Sequence, residues 1–304
     1  MHAHGFSAIG DFTPDSRARD FIDNPLFGQA RLQTQFHFCV ANAWPSTSEK
    51  SRSIHGLALR IHGAVQAYDM AMLSEPLFFA ASVASFKAFL RAHRADPLSG
   101  TTDPSRIAAY EAAFPDGARF SALLSRHAAP ASHASTAYFS NNAFVFTGKG
   151  GSTNAARLSV YPDAGIQYLS QQQEVDLPDQ FLEKEMDERL LLGPIGFTLY
   201  AQLPARGDSL TDPSAPWHGK HRLVLGRFRI TALVENDGAA MAYTPARLPT
   251  AVALTDDPIL LHRAVAYLPS EYRRLLVTAL QSPSWRRLAV DRAAIQSQSN
   301  EEHD

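Results

Sequence analysis

Residues 32–40 place Phe36, Phe38 and Val40 on one parity and His37 and Cys39 on the other. A β-strand sends successive side chains to opposite faces, so this run demands a sheet with one greasy face and one chemically mixed face. Comparable runs predict strands over 32–40, 56–62, 142–149, 156–161, 197–203 and 222–232. In the last of these, Leu223, Leu225, Arg227 and Arg229 alternate with Val224, Gly226, Phe228 and Ile230. Helical spacing predicts helices over 83–93, 105–114, 118–127 and 179–192, the last opening at Pro178-Asp179 and stopping at Gly193-Pro194. A further helix over 258–276 contains Pro269, which kinks or splits it. The segment 204–220, rich in Pro, Gly, Asp and Ser, reads as a loop or arm. Together these elements predict an α+β fold, a closed antiparallel β-barrel with helices packed outside. The expected organisation is one domain over 1–290 with a polar tail over 291–304.

Composition narrows the function classes. With 45% hydrophobic and 19% charged residues, the 304-residue chain can bury a sizeable core. Its formal net charge of -2, without basic clusters, argues against nucleic-acid or membrane-surface binding. Cys39 is the only cysteine, which excludes an intrachain disulfide and any CxxC zinc site. There is no run of about 20 apolar residues to serve as an integral membrane segment, so a cytoplasmic protein is expected.

One spacing carries chemistry. Arg263 and Tyr267 lie four residues apart, on one face of the predicted helix. A phenol with an ordinary pKa near 10 is a poor ligand while protonated. A ferric ion and an adjacent permanent cation both favour the phenolate, and heme iron held by tyrosinate is a known form of ligation. Arg274, seven residues on, could meet a heme propionate if the helix continues. Taken alone, an Arg-xxx-Tyr pair is common and is ordinarily packing.

A colinear set of motifs gives the pair its context. Met1-His2-Ala3-His4-Gly5 with Gly10-Asp11-Phe12, Phe36-His37-Phe38-Cys39 and the strand His55-Gly56-Leu57-Ala58-Leu59-Arg60 come first. Pro76-Leu77-Phe78-Phe79, Phe86-Lys87-Ala88-Phe89, Asp163-Ala164-Gly165-Ile166 and Asp212-Pro213-Ser214-Ala215-Pro216-Trp217 before Val224-Leu225-Gly226 follow. Asp256-Asp257-Pro258 then leads to Arg263 and Tyr267. From His2 to about Arg274 the chain resembles the catalase family, and in length its small catalase-related peroxidases.

The resemblance implies an eight-stranded catalase-like barrel binding heme b, with Tyr267 as the iron ligand and Arg263 beside it. It implies His2 as the distal histidine, with His4 at the family's lysine position. Phe78 and Phe86 would pack on the porphyrin or, equally, belong to the barrel core. Cys39 stands where the family carries a hydroxyl residue that orients the distal histidine. His37 replaces a propionate-binding arginine, leaving Arg274 and Arg60 as substitutes. The distal asparagine aligns with Leu73, and Ser74 could serve only if the register slips by one. The family's N-terminal arm and its arginine have no counterpart before Met1.

The implied activity is a heme-dependent peroxidase taking hydrogen peroxide or organic hydroperoxides and a small reductant, with weak catalase activity at most. Alternatives are a lipid-hydroperoxide isomerase of the allene-oxide-synthase type, a non-catalytic heme-binding protein, and a barrel without heme. The resemblance also allows a homo-oligomer.

Overall fold

The computed structural model describes residues 4–40, 48–96, 100–234 and 243–267. Among the described residues nine antiparallel strands follow one another: β1 (His4–Pro14), β2 (Leu32–Val40), β3 (His55–His62), β4 (Ala67–Leu73), β5 (Tyr138–Thr147), β6 (Thr153–Pro162), β7 (Ile195–Gln202), β8 (Arg222–Val234) and β9 (Val252–Leu254). The sheet order is β4-β3-β2-β1-β8-β7-β6-β5-β9. Pairing of Leu73 with Phe139 joins β4 to β5 and closes β1 to β8 into an eight-stranded barrel, with β9 added on β5. Closure removes the unpaired edges that an open sheet would expose.

The alternation read from the sequence is what fills the barrel. Phe36 and Phe38 of β2, Leu57, Leu59 and Ile61 of β3, and Tyr68, Met70 and Met72 of β4 join one buried cluster. Rings meet across neighbouring strands: Phe12 lies 4.7 Å from its register partner Phe228, and Phe36 of β2 meets Phe228 edge-on at 5.7 Å. On β8 the parity breaks. Gly226 opposes Leu199 while Val224 opposes Tyr200, so Leu225 is an extra residue and turns inward together with Phe228 and Ile230. A Cβ on Gly226 would sit 2.5 Å from the Phe12 ring, so only glycine allows this approach.

Three strands were not apparent from the sequence, β1, β4 and the short β9. Around the barrel lie α1 (Ala18–Phe21), α2 (Val83–Ala92), α3 (Pro104–Ala113), α4 (Pro115–Leu124), α5 (Gln171–Asp176), α6 (Leu182–Leu192) and α7 (258–267). Helix α6 begins at Leu182, not at Asp179, because the Glu49 carboxylate accepts from the amides of Phe181 and Leu182 at 2.6 and 2.8 Å. Pro269 and the remainder of the predicted last helix lie outside the described residues. No described helix is long and apolar enough to cross a membrane.

One end of the barrel interior holds two imidazoles. His133 Nδ1 lies 2.7 Å from the Tyr138 hydroxyl, and His55 packs on His133 at 5.2 Å with both ring nitrogens unpartnered. Burial, aided by the charge of His127, lowers His55 to about 4, and burial pushes His133 well below the usual range. Below the ordinary histidine pKa of about 6.5 the unfolded chain takes up protons that the folded chain refuses, so stability falls with pH. We expect a loss of about 1.4 kcal/mol per pH unit per imidazole between pH 6.5 and 4 for His55. Urea unfolding at pH 7, 6 and 5 checks this. His55→Leu should flatten the slope by one imidazole's share, and an unaltered slope would show that His55 is not the titrating group.

Candidate active site

The site is organised from helix α7. Asp257 precedes it, 1% exposed, and one carboxylate oxygen accepts from the amides of Ile259 and Leu260 at 2.8 and 3.2 Å. The other oxygen accepts from Asn142 Nδ2 at 2.6 Å, and Asn142 Oδ1 accepts from Arg263 Nη1 at 2.8 Å. Burial pushes the Asp257 carboxyl up, while the Asn142 amide, the helix amides and the Arg263 charge pull it down. Acid, amide and guanidinium are all buried, so one chain of polar contacts fixes the face on which Tyr267 emerges a turn later, half-buried.

Strand β5 delivers Asn142 through a bulge. From Phe139 to Ala143 it advances four residues, while β6 advances two, from Ser159 to Arg157. Asn141 takes the left-handed conformation there, φ 58°, which asparagine tolerates better than most residues. Ser140 repairs the gap in the ladder, its hydroxyl accepting from the Leu158 amide and donating to the Asn142 carbonyl.

An aromatic wall faces α7. The Arg263 guanidinium lies 5.4 Å over the Phe78 ring. Phe78 and Phe86 are near-parallel, 5° apart at 6.0 Å, and His262 meets Phe86 edge-on at 6.1 Å. Ile54, Leu73, Phe79, Phe120 and Ile259 complete this cluster. Phe86 is oriented by α2, whose start is locked by a reciprocal Ser82–Ser85 capping box. The arm over 204–220 supports Phe78, whose amide donates to the Pro213 carbonyl at 3.0 Å.

Arg263, Phe78, Phe86 and Leu73 are therefore brought together against the first turns of α7, while other candidates have partners of their own. Ser74 Oγ accepts from the His55 amide at 3.0 Å. His37 Nδ1 lies 3.3 Å from the Ser7 hydroxyl, and its ring stacks with Tyr243 at 6.4 Å. Cys39 is buried, and burial pushes its thiol up to about 12, so it is a neutral group and a weak hydrogen-bond partner. Arg60 is held by Asp69 at 2.5 and 2.7 Å, an ion pair that occupies the guanidinium. His2 and Arg274 lie outside the described residues.

The donor chemistry fits an iron porphyrin: a phenol on the same helical face as a fixed cation, beside a flat aromatic wall with an apolar surround. Gly5 lets β1 approach β2 closely beside Cys39: a Cβ there would run into the Phe38 carbonyl oxygen and fall 3.0 Å from Cys39 Cβ.

A closed eight-stranded antiparallel barrel with this helix laid against it defines a catalase-like protein. The sequence model of the Catalase family matches residues 1–193, more than half of the chain, and the chain belongs to that family. A catalase-related peroxidase of Synechococcus elongatus is 28% identical over 278 residues, covering 90% of this chain and 82% of that protein. One from Mycolicibacterium paratuberculosis is 26% identical, covering 89% and 87%. Among solved structures, a fungal catalase superposes with a TM-score of 0.84 at 19% identity, over 92% of this chain and 59% of the other. Catalase A from Saccharomyces cerevisiae gives 0.83 at 19%, over 93% and 62%. The chain thus spans less than two thirds of these two catalases.

Proposed function

We propose that the chain is a heme-dependent peroxidase acting on hydrogen peroxide or organic hydroperoxides, with weak dismutation at most. The observation that carries this reading is the Asp257–Asn142–Arg263 chain, which fixes the helical face bearing Tyr267 against the Phe78 wall. Relatives described as catalase-related peroxidases support it. When bound, the heme supplies the electron chemistry that breaks the O–O bond.

The remaining work falls to the chain. Tyr267 would hold the iron through its phenolic oxygen, with Arg263 favouring the phenolate. Phe78 and Phe86 exclude water from the porphyrin faces. His2 takes the peroxide proton and returns it to the departing oxygen, acting first as base and then as acid. The buried Cys39 thiol is a weak partner for that imidazole. His37, at the position of a propionate-binding arginine, and Arg274 would be the groups to meet the propionates, and Ser74 is the hydroxyl nearest Leu73 in the chain. Leu73, buried among Ile54, Phe78 and Ile259, offers no donor to orient hydrogen peroxide, which argues against fast dismutation. The same apolar side chain favours, as a second reading, isomerisation of a bulky lipid hydroperoxide.

One preparation of the heme-loaded chain decides among these activities. Oxidation of a reducing dye should outpace oxygen evolution from hydrogen peroxide. Consumption of a lipid hydroperoxide without dye oxidation would select the isomerase, and no turnover in any assay would sink the enzyme reading.

A further inference from the structure

Between β5, β6, α4 and the arm over 204–220 lies a cleft of about 270 Å3, with Leu77, Leu123, Phe139, Asn141, Arg157 and Trp217 in its wall. Two of these carry a buried polar atom with no partner among the described residues, Arg157 Nε and Asn141 Oδ1. Arg157 is 6% exposed and Asn141 1%. Buried polar groups ordinarily find partners, so an unmet donor and an unmet acceptor in one mostly apolar cleft call for an occupant.

The rest of each side chain is already engaged. Asn141 sits in the β5 bulge at φ 58°, and its Nδ2 donates to the Glu75 carbonyl at 2.7 Å. That contact fixes which end of the amide is oxygen, since turning it over would set two oxygens against each other. Arg157 Nη1 and Nη2 donate to the carbonyls of Ala215 and Asp212 at 2.9 and 2.8 Å, and the guanidinium lies 4.6 Å over the Trp217 ring. Trp217 is held in turn by its indole N–H, which donates to the Ser209 carbonyl at 2.8 Å. Both arginine contacts are with neutral carbonyls. Burial lowers Arg157 to about 10, opposed by the charges of Asp212, Asp257 and Asp208.

A hydroxyl both donates and accepts, so one such group satisfies both atoms. A carboxylate would meet Arg157 but has no hydrogen for Asn141 Oδ1 and would set a negative oxygen against it. Water has the right polarity but gains nothing from the apolar wall. The cleft has the liquid volume of about nine waters, which is room for one small ring. A phenol donates more strongly than an alkyl alcohol, and its ring suits a wall of Leu, Phe and Trp.

We propose that this cleft binds a small phenol, the hydroxyl donating to Asn141 Oδ1 and accepting from Arg157 Nε, the ring held among Leu77, Leu123 and Phe139. Binding here requires no heme, so the site stands or falls apart from the peroxidase reading.

Calorimetric titration of the full chain with p-cresol should give saturable one-to-one binding with a Kd of about 1 mM or tighter. The indole N–H resonance of Trp217, identified by its loss in Trp217→Phe, should move as the cleft fills. 4-Methylanisole keeps the oxygen without its hydrogen, and 4-methylbenzoate offers a negative oxygen without one. Each should bind about tenfold more weakly than p-cresol. Asn141→Gly suits the left-handed backbone and removes the acceptor. It should weaken p-cresol about tenfold and leave 4-methylanisole unaltered. Equal or tighter binding of either analogue would overturn the proposal, as would p-cresol binding that leaves the Trp217 resonance still. So would the absence of saturation below about 10 mM p-cresol.

Discussion

Replacing Tyr267 by phenylalanine is expected to abolish the tyrosinate absorption bands of the heme-loaded chain and to lower peroxide turnover at least about a hundredfold. The magnitude follows from a comparison: losing a partner that merely orients a metal ligand costs about 10- to 100-fold, so losing the ligand itself belongs at or beyond the upper end. Arg263→Gln leaves the phenol in place but removes the fixed cation that favours its ionised form. Its effect should fall between wild type and Tyr267→Phe, with bands shifted rather than lost. Absorption spectra with dye-oxidation rates on the three proteins check the order. An unchanged Tyr267→Phe spectrum would mean that another group holds the iron.

The second large effect is on folding. Asp257→Ala removes the carboxylate that caps α7 and anchors Asn142, leaving the buried Asn142 amide without an acceptor and the Arg263 contact to Asn142 without its anchor. Leaving the buried Asn142 amide without its acceptor costs about 1–3 kcal/mol, and losing a helix cap about 1 kcal/mol more. Asp257→Asn keeps an oxygen for the cap and should cost much less. Urea unfolding of the two variants measures the difference. A loss under about 1 kcal/mol for Asp257→Ala would show that the network does not hold the helix.

The barrel was legible where interior residues are large and their neighbours polar. In β2, Phe36 and Phe38 against His37 are unmistakable. In β4 the inward Tyr68, Met70 and Met72 alternate with Asp69, Ala71 and Leu73, and apolar residues on both parities hid the strand. Strand β1 was hidden by its glycines, since Gly5 and Gly10 serve close approach to neighbouring strands and add nothing to the pattern. The inward turn at Leu225 could not be read either, because a bulge is set by pairing between strands.

The candidate site divides along the same line. Arg263 and Tyr267 are local, four residues apart on one helix, and their spacing is visible in the chain itself. Asn142 lies 121 residues from Arg263 and 115 from Asp257, so no spacing could announce it, although Asp257-Pro258 is an ordinary helix-start signal.

The central claim is that this barrel holds heme through Tyr267, and the absorption spectrum of the purified chain after reconstitution with heme tests it most directly. The account predicts a Soret band that survives gel filtration, with the charge-transfer bands of a ferric tyrosinate, at stoichiometric loading. A chain that emerges without a Soret band, or with the bands of histidine or thiolate ligation, would contradict it.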